Sequence, residues 1–371
     1  MTNIPLVDLA AQHHEIAAEV LPGIESVFAR TAFVGGAEVT AFEEEYARYV
    51  DVRHCVGAAN GTDALELALR AVGVTAGGEV VLPANTFIAT AEAVSRIGAT
   101  PVLVDVDEEH LLIDPEAVGR TLTERTQAVV PVHLFGQTAP VELIASLCAE
   151  RGIPVVEDAA QSQGARRHGR PAGSLGRVAA TSFYPGKNLG AAGDAGAVTT
   201  DDEEVAARVR VVGAHGSPSK YIHDVVGFNS RLDTVQAVYL RAKLARLEKW
   251  NGFRRDAAER YAAMLEGVAG VRLPGTAPGN EHVWHLYVVR VAERDRVQRH
   301  LAGVGVGTGV HYPTPVHLTR AYAHLGLGPG SFPVAEEAAS RILSLPMHPH
   351  LTEAQQQHVV EALVDAVAEA P

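Results

Sequence analysis

From residue 55 to residue 182 the chain alternates short apolar runs with amphipathic stretches, and this alternation restricts its architecture more than any other feature. The runs at 55–59, 80–82, 101–104, 128–132, 154–157 and 178–182 have strand length and bounding turn residues. Between them, 64–72, 88–97, 115–122 and 141–151 space their apolar residues as helices do. A strand, a crossover helix and a further strand repeated several times give a mainly parallel sheet with helices on both faces, an α/β class. In such sheets ligands sit at the carboxyl ends of the strands. The turns Asn60-Gly61-Thr62-Asp63, Asn85-Thr86-Phe87, Asp158-Ala159-Ala160-Gln161 and Ser182 through Lys187 are therefore expected to face one site.

The flanks read differently. Helical spacing at 13–30 and 38–50 precedes the alternating region, and a long helical segment at 234–265 follows it. A domain boundary is expected there, giving a large α/β domain at 1–235 and a smaller α+β domain at 236–371. Strand-like runs at 283–291 and 305–310 and a closing helix at 352–368 belong to the second, and 274–281 reads as a loose loop.

A chain of 371 residues, 47% hydrophobic, has ample core for two such domains. Its 31 basic and 44 acidic residues give a formal charge of -13, the wrong sign for a nucleic-acid backbone or an anionic membrane surface. No apolar run reaches membrane-spanning length and the first ten residues carry no signal-peptide pattern, so the expected location is the cytoplasm. Cys55 and Cys148 stand far apart and read as small buried hydrophobes. The histidine pairs His13/His14, His282/His285 and His348/His350 lack companion ligands, so no metal site is expected and solvent-facing or core roles are.

Chemistry concentrates around Lys187, one of only four lysines. A lysine, unlike an arginine, can lose its proton and act as an amine nucleophile. Its turn, Ser182-Phe183-Tyr184-Pro185-Gly186-Lys187-Asn188-Leu189-Gly190, fits that role but also fits a surface charge, and it lacks the Ser/Thr of a P-loop. Asn60-Gly61-Thr62-Asp63 is either a phosphate-holding helix start or a plain N-cap. Asp158 is either an acid aimed at a ring nitrogen or a strand-end carboxylate capping the next turn. The glycine run 303–309 has Thr308 where a dinucleotide fingerprint needs glycine, and Gly173-Ser174-Leu175-Gly176 is no hydrolase elbow.

Seven motifs in order, Asn60 to Leu65, Asn85 to Thr90, Pro131 to Gly136, Glu157 to Gln161, Ser182 to Gly190, Gly193 to Ala197 and Asn229 to Asp233, resemble those of the DegT/DnrJ/StrS family of sugar aminotransferases. The resemblance extends to His311-Tyr312-Pro313 and covers nearly the whole chain. It implies the type I fold of the aspartate aminotransferase superfamily, pyridoxal 5'-phosphate with pyridoxamine phosphate as its aminated form, and homodimers with shared active sites. By this resemblance Lys187 forms the Schiff base, Asp158 pairs with the pyridine nitrogen, Gln161 lies near the ring 3-oxygen and Phe87 stacks on the ring. Gly61, Thr62 and Ser182 hold the phosphate, joined by Asn229 of a second subunit, while Tyr184 and His311 touch the sugar. The implied reaction moves an amino group from glutamate, giving 2-oxoglutarate, to a nucleotide-linked, dTDP, 3-keto or 4-keto 6-deoxyhexose in amino-sugar biosynthesis. Relatives in which histidine replaces the lysine are dehydratases, and a regulatory or sensor role is the alternative from another class. Intact Lys187, Asp158 and Gln161 favour transamination over both.

Overall fold

The computed structural model describes residues 3–368 and turns the alternation into a seven-stranded sheet. The elements of the first half are α1 (Leu9–Arg30), α2 (Ala37–Tyr49), β1 (His54–Ala58), α3 (Gly61–Ala71), β2 (Glu79–Pro83), α4 (Ile88–Ile97), β3 (Thr100–Val104), α5 (Pro115–Thr121), β4 (Thr126–Val129), α6 (Val141–Ala149) and β5 (Val156–Asp158). There follow β6 (Arg166–Arg167), β7 (Arg170–Pro171), β8 (Val178–Ser182), β9 (Gly196–Thr200), α7 (Glu203–Gly213) and α8 (Thr234–Leu265). The last part comprises β10 (Val271–Arg272), β11 (Asn280–Glu281), β12 (Tyr287–Val291), α9 (Arg294–Gly303), α10 (Pro333–Arg341), β13 (Ile342–Leu345) and α11 (Glu353–Ala368).

Four strands pair in the order β1-β9-β8-β5 and three in the order β3-β2-β4. Parallel bridges Val129↔Val155 and Val132↔Asp158 join the two groups side by side. Only β9 runs against its neighbours, so the sheet is mainly parallel, as the alternation requires. Helix α3 is buried along nearly its whole length against β8 and β9, and its one polar stripe is paired, Asp63 and Glu66 with Arg96 and Glu66 with Arg70.

Register brings the strand ends together. Ser182 of β8 pairs with Gly196 of β9, which pairs with Ala58 of β1, so the start of α3 arrives beside the end of β8. That approach is close: a Cβ on Gly196 would meet the Asn60 carbonyl oxygen at 2.5 Å. On the other side of β8, Asp158 pairs with Ala180, two residues short of Ser182.

Beneath Asp158 lies a fully buried hydrogen-bonded pair, Glu157 and His133. Glu157 accepts from His133 Nε2 at 2.7 Å and from the backbone N–H groups of Gly173, Leu175 and Gly176 at 2.7–2.8 Å. His133 Nδ1 accepts from the Ala139 N–H, so Nε2 carries the proton. Burial pushes the Glu157 carboxyl up, but His133 and the backbone donors outweigh it and hold the carboxyl below its ordinary range.

The expected boundary at 235/236 falls in the first turn of α8, and that helix serves two cores. Ala237, Leu240 and Leu247 pack with Phe42, Tyr46 and Phe183, whereas Ala257, Tyr261 and Leu265 pack with Tyr287, Val289, Leu343 and α11. Ile4 also joins the second core, through a parallel bridge to Val306. The small sheet β10-β12-β13 is shorter than the apolar runs implied, since only Tyr287–Val291 of the 283–291 run pairs and 305–310 contributes isolated bridges. The expected loose loop at 274–281 is instead held down. Gln137 bonds Gly275 O and Ala277 N, Arg167 bonds Pro278 O, and β11 pairs with β6. Among the described residues no helix is long and apolar enough to cross a membrane.

Glu157→Ala should lose about 3–5 kcal/mol at neutral pH, because it leaves His133 and three N–H groups buried without a partner. Since the folded-state carboxyl lies below its ordinary value of 4.5, this contribution is present above that value and fades as pH falls through the folded-state one. Urea unfolding of both proteins at pH 7 and at pH 4 should show the difference narrowing.

Candidate active site

At the carboxyl ends of β8 and β5 and the starts of α3 and α4 lies a cavity of about 760 Å³. Its lining includes Gly61, Thr62, Phe87, Asp158, Gln161, Ser182, Tyr184, Lys187 and His311. Nine of the ten residues singled out in the sequence thus meet in one place. The tenth, Asn229, does not: it is exposed outside the cavity, with its backbone bridged to Ala214.

The α3 end of the cavity is built for a small anion. Asn60 is a true N-cap, its side chain accepting from the Asp63 N–H at 2.8 Å. The N–H groups of Gly61 and Thr62 and the Thr62 hydroxyl have no hydrogen-bond partner among the described residues. Capping and anion binding are therefore compatible, since the cap uses a different donor. A Cβ on Gly61 would lie 2.5 Å from Ser182 Cβ, so only glycine lets this turn approach the end of β8. Helix N-termini with free N–H groups attract phosphate through both hydrogen bonds and the helix dipole.

Across the cavity, Asp158 is buried. Its Oδ2 accepts from Thr90 Oγ1 at 2.8 Å and its Oδ1 from the Ala160 N–H at 3.2 Å. Thr90 uses its one proton on Asp158, so the 2.7 Å contact with Thr86 must be donated by Thr86. Burial raises the Asp158 carboxyl above its ordinary value, against the opposing pull of Thr90, Ala160 and Lys187. Such a carboxyl is a suitable partner for a protonated ring nitrogen.

Lys187 follows β8 in a turn closed by its own N–H donating to the Tyr184 carbonyl at 2.8 Å. Its amine opens onto the cavity while protein encloses it at longer range, and that desolvation lowers it from 10.5 to about 8, with Asp158 pulling the other way. The two groups interact electrostatically without forming an ion pair among the described residues. Surface charge, one reading of the turn alone, is thereby excluded.

Gln161 is pinned at both ends. Its Oε1 accepts from the Phe135 N–H at 2.6 Å and its Nε2 donates to the Tyr312 hydroxyl at 3.1 Å. Phe87, at the N-terminus of α4, keeps an open face, with its ring 5.1 Å from that of Tyr312. His311 Nδ1 lies 2.8 Å from Ser344 Oγ, and burial, then Lys187, lowers it to about 4, so it is neutral. Tyr184 stands exposed at the rim.

Thr90, Tyr312 and His285 are among the lining residues that were not assigned from sequence. Thr90 and Tyr312 lie inside motifs already noted, one turn and one residue from the positions chosen. His285 had been read only as half of a histidine pair, and nothing local in the sequence marks it.

In cofactor-free protein, acylation of Lys187 followed by peptide mass spectrometry should rise through a midpoint near pH 8.

Residues 14–364 match the model of the DegT/DnrJ/EryC1/StrS aminotransferase family. The erythromycin biosynthesis sensory transduction protein EryC1 of Saccharopolyspora erythraea is 46% identical over 97% of this chain and 99% of its own length. The dTDP-3-amino-3,4,6-trideoxy-alpha-D-glucose transaminase of Streptomyces venezuelae is also 46% identical, over 97% of this chain and 95% of its own. Among solved structures, S. venezuelae DesV in complex with a ketimine intermediate superposes with a TM-score of 0.97 at 45% identity, covering all of both chains. With the type I fold in place, the chain belongs to the DegT/DnrJ/EryC1/StrS aminotransferase family.

Proposed function

We propose that this protein is a pyridoxal phosphate-dependent aminotransferase that moves an amino group from glutamate to a keto group on a nucleotide-linked, dTDP-type deoxyhexose. The observation that carries the reading is one cavity holding a desolvated amine, a buried carboxyl and a set of helix N-terminal donors that no protein group uses, at Lys187, Asp158 and Gly61-Thr62. That donor set fits pyridoxal phosphate: an anion cradle at one end, an acid at the other, an aromatic face at Phe87 and a nucleophilic amine beside them. When bound, the cofactor supplies an electrophilic carbonyl and a ring that accepts the electron pair left when a neighbouring carbon loses its proton.

Gly61 and Thr62 N–H groups, the Thr62 hydroxyl and Ser182 Oγ hold the phosphate. Asp158 keeps a proton on the ring nitrogen, and Thr90 and the Ala160 N–H keep Asp158 aimed. Gln161 supports the ring edge through its bond with Tyr312. Lys187 would supply the amine that holds the cofactor's carbonyl, and as a free amine it would be the group that accepts and returns a proton at the cavity wall. An amine near 8 has accessible protonated and free forms at neutral pH, which suits a proton carrier. The amino group leaves glutamate as 2-oxoglutarate forms, and the keto sugar takes it up. The S. venezuelae transaminase by name makes a 3-amino sugar, which favours a 3-keto substrate over a 4-keto one. Because Lys187 and Asp158 are both in place, catalysis is favoured over the sensory role in the EryC1 name.

We further propose a homodimer in which Asn229 completes the partner's phosphate site. Asn229 is exposed and does not line its own cavity, and the preceding loop exposes Tyr221, Ile222, Val225 and Val226, the last 94% accessible. Contiguous apolar exposure of this kind marks an interface.

Lys187→Ala should abolish the visible band of bound cofactor and lower turnover by ~10²-fold or more. A variant that keeps full turnover of a keto-sugar nucleotide sinks the assignment. For the dimer, mixing Lys187→Ala with Asn229→Ala subunits should restore activity that neither has, because one site per hybrid regains both residues. No recovery after verified subunit exchange means that the sites are not shared.

A further inference from the structure

Asn188, next to Lys187 in the chain, starts a buried relay whose polarity is fixed at two backbone carbonyls. Asn251, wholly buried in the middle of α8, donates from Nδ2 to the Gln163 carbonyl at 2.9 Å. A carbonyl only accepts, so the other end of that amide, Oδ1, faces Asn188. Asn188 Nδ2 donates to it at 2.9 Å and to the Val283 carbonyl at 3.0 Å. Both Asn188 protons are then used, and its Oδ1 is the acceptor that meets His285 Nδ1 at 3.2 Å. His285 must therefore carry its proton on Nδ1. Its Nε2 is a bare lone pair, without a hydrogen-bond partner among the described residues, on a ring that lines the cavity with Lys187.

The relay is built in. Gly164, at φ +95, admits Asn251: a Cβ there would lie 2.4 Å from Asn251 Nδ2. Burial, then the charges of Lys187 and Arg254 and the rings of His311 and His282, disfavours a protonated His285. A carboxylate in this position would clamp Lys187 as an ammonium, whereas a neutral acceptor stabilises the ammonium without trapping it.

We propose that His285 is a positioning residue for transamination, locked as the Nδ1–H tautomer by Asn188 and Asn251 so that Nε2 accepts a hydrogen bond from the Lys187 amine and orients it. The inference rests on Lys187 being the proton-carrying amine, yet two of its tests read no turnover.

In full-length protein labelled with 15N-histidine, the His285 resonances, assigned by their loss in His285→Phe, should be pyrrole-like at Nδ1 and pyridine-like at Nε2 between pH 6 and 9. Asn188→Ala should convert them to a tautomer mixture. In cofactor-free His285→Phe, the pH midpoint of Lys187 acylation should fall, because the ammonium loses its acceptor. In the loaded enzyme, kcat should drop on the order of ten- to a hundredfold with KM for the sugar nucleotide little changed, and His285→Gln should recover most of it. A proton found on Nε2 in the wild type overturns the proposal, as does an unchanged acylation midpoint in His285→Phe. A loss confined to KM also overturns it, by making His285 a substrate contact. If Lys187→Ala is active while the tautomer is as stated, it is the aminotransferase reading that fails.

Discussion

The site depends on holding an amine and a carboxyl in one poorly solvated cavity without letting them collapse into an ion pair. Opposite charges in a medium of low dielectric attract strongly, and a Lys187–Asp158 contact would tie up both groups. Thr90 and the Ala160 N–H occupy one oxygen each of Asp158, and the turn after β8 carries Lys187 away from the strand end. What remains is coupling at a distance, visible in the opposed effects of each group on the other. The two perturbed groups are thus kept reactive by the hydrogen bonds around them.

Strand register makes this spacing possible. Ala58, Gly196 and Ser182 stand in a row across three strands, and Asp158 lies one strand further on. Glycines at 61 and 196 are needed where the backbone of the α3 turn crosses that row, because a side chain at either would overlap a neighbour. Below, the Glu157–His133 pair bonds the 173–176 turn to β5, so the strand that presents Asp158 is tied on both sides. The desolvation cost of that buried pair is met by four hydrogen bonds to one carboxylate, the condition under which such pairs persist. On the small-domain side the wall includes His285, His311 and Tyr312, all uncharged, whereas Asp63, Arg96 and Asp194 line the cavity from the large domain.

Much of this was legible beforehand. The alternation of runs gave a mainly parallel sheet because a buried parallel strand has no other pattern available to it, and it pointed to the strand ends because that is where such sheets leave a crevice. Most of the expected site residues lie on turns immediately after strands, where sequence position and spatial position coincide. What was not legible lies far away in sequence. His285 and Tyr312 reach the cavity from beyond α8, and the loop at 274–281 gained its order from Gln137 and Arg167, about 140 and 110 residues earlier. Ile4 entered the second core although it opens the chain. No local period carries information about such contacts.

The sequence by itself determined the layered α/β class and the ordered motifs, because each depends on residue type and short spacing. Only the tertiary structure decided between readings that were chemically equal in the chain. Lys187 is a desolvated amine and not a surface charge because three strand ends and two imidazoles surround it. Asn60 caps its helix and yet leaves Gly61 and Thr62 free because the cap draws on the Asp63 N–H. Asn229 falls outside the lining of its own cavity although the chain on either side of it is bonded back to α7, Phe228 to the Val212 carbonyl and Ser230 to the Gly213 carbonyl. Protonation, donor availability and the side of the fold on which a loop emerges are properties of surroundings, and surroundings are assembled from residues that sequence keeps apart.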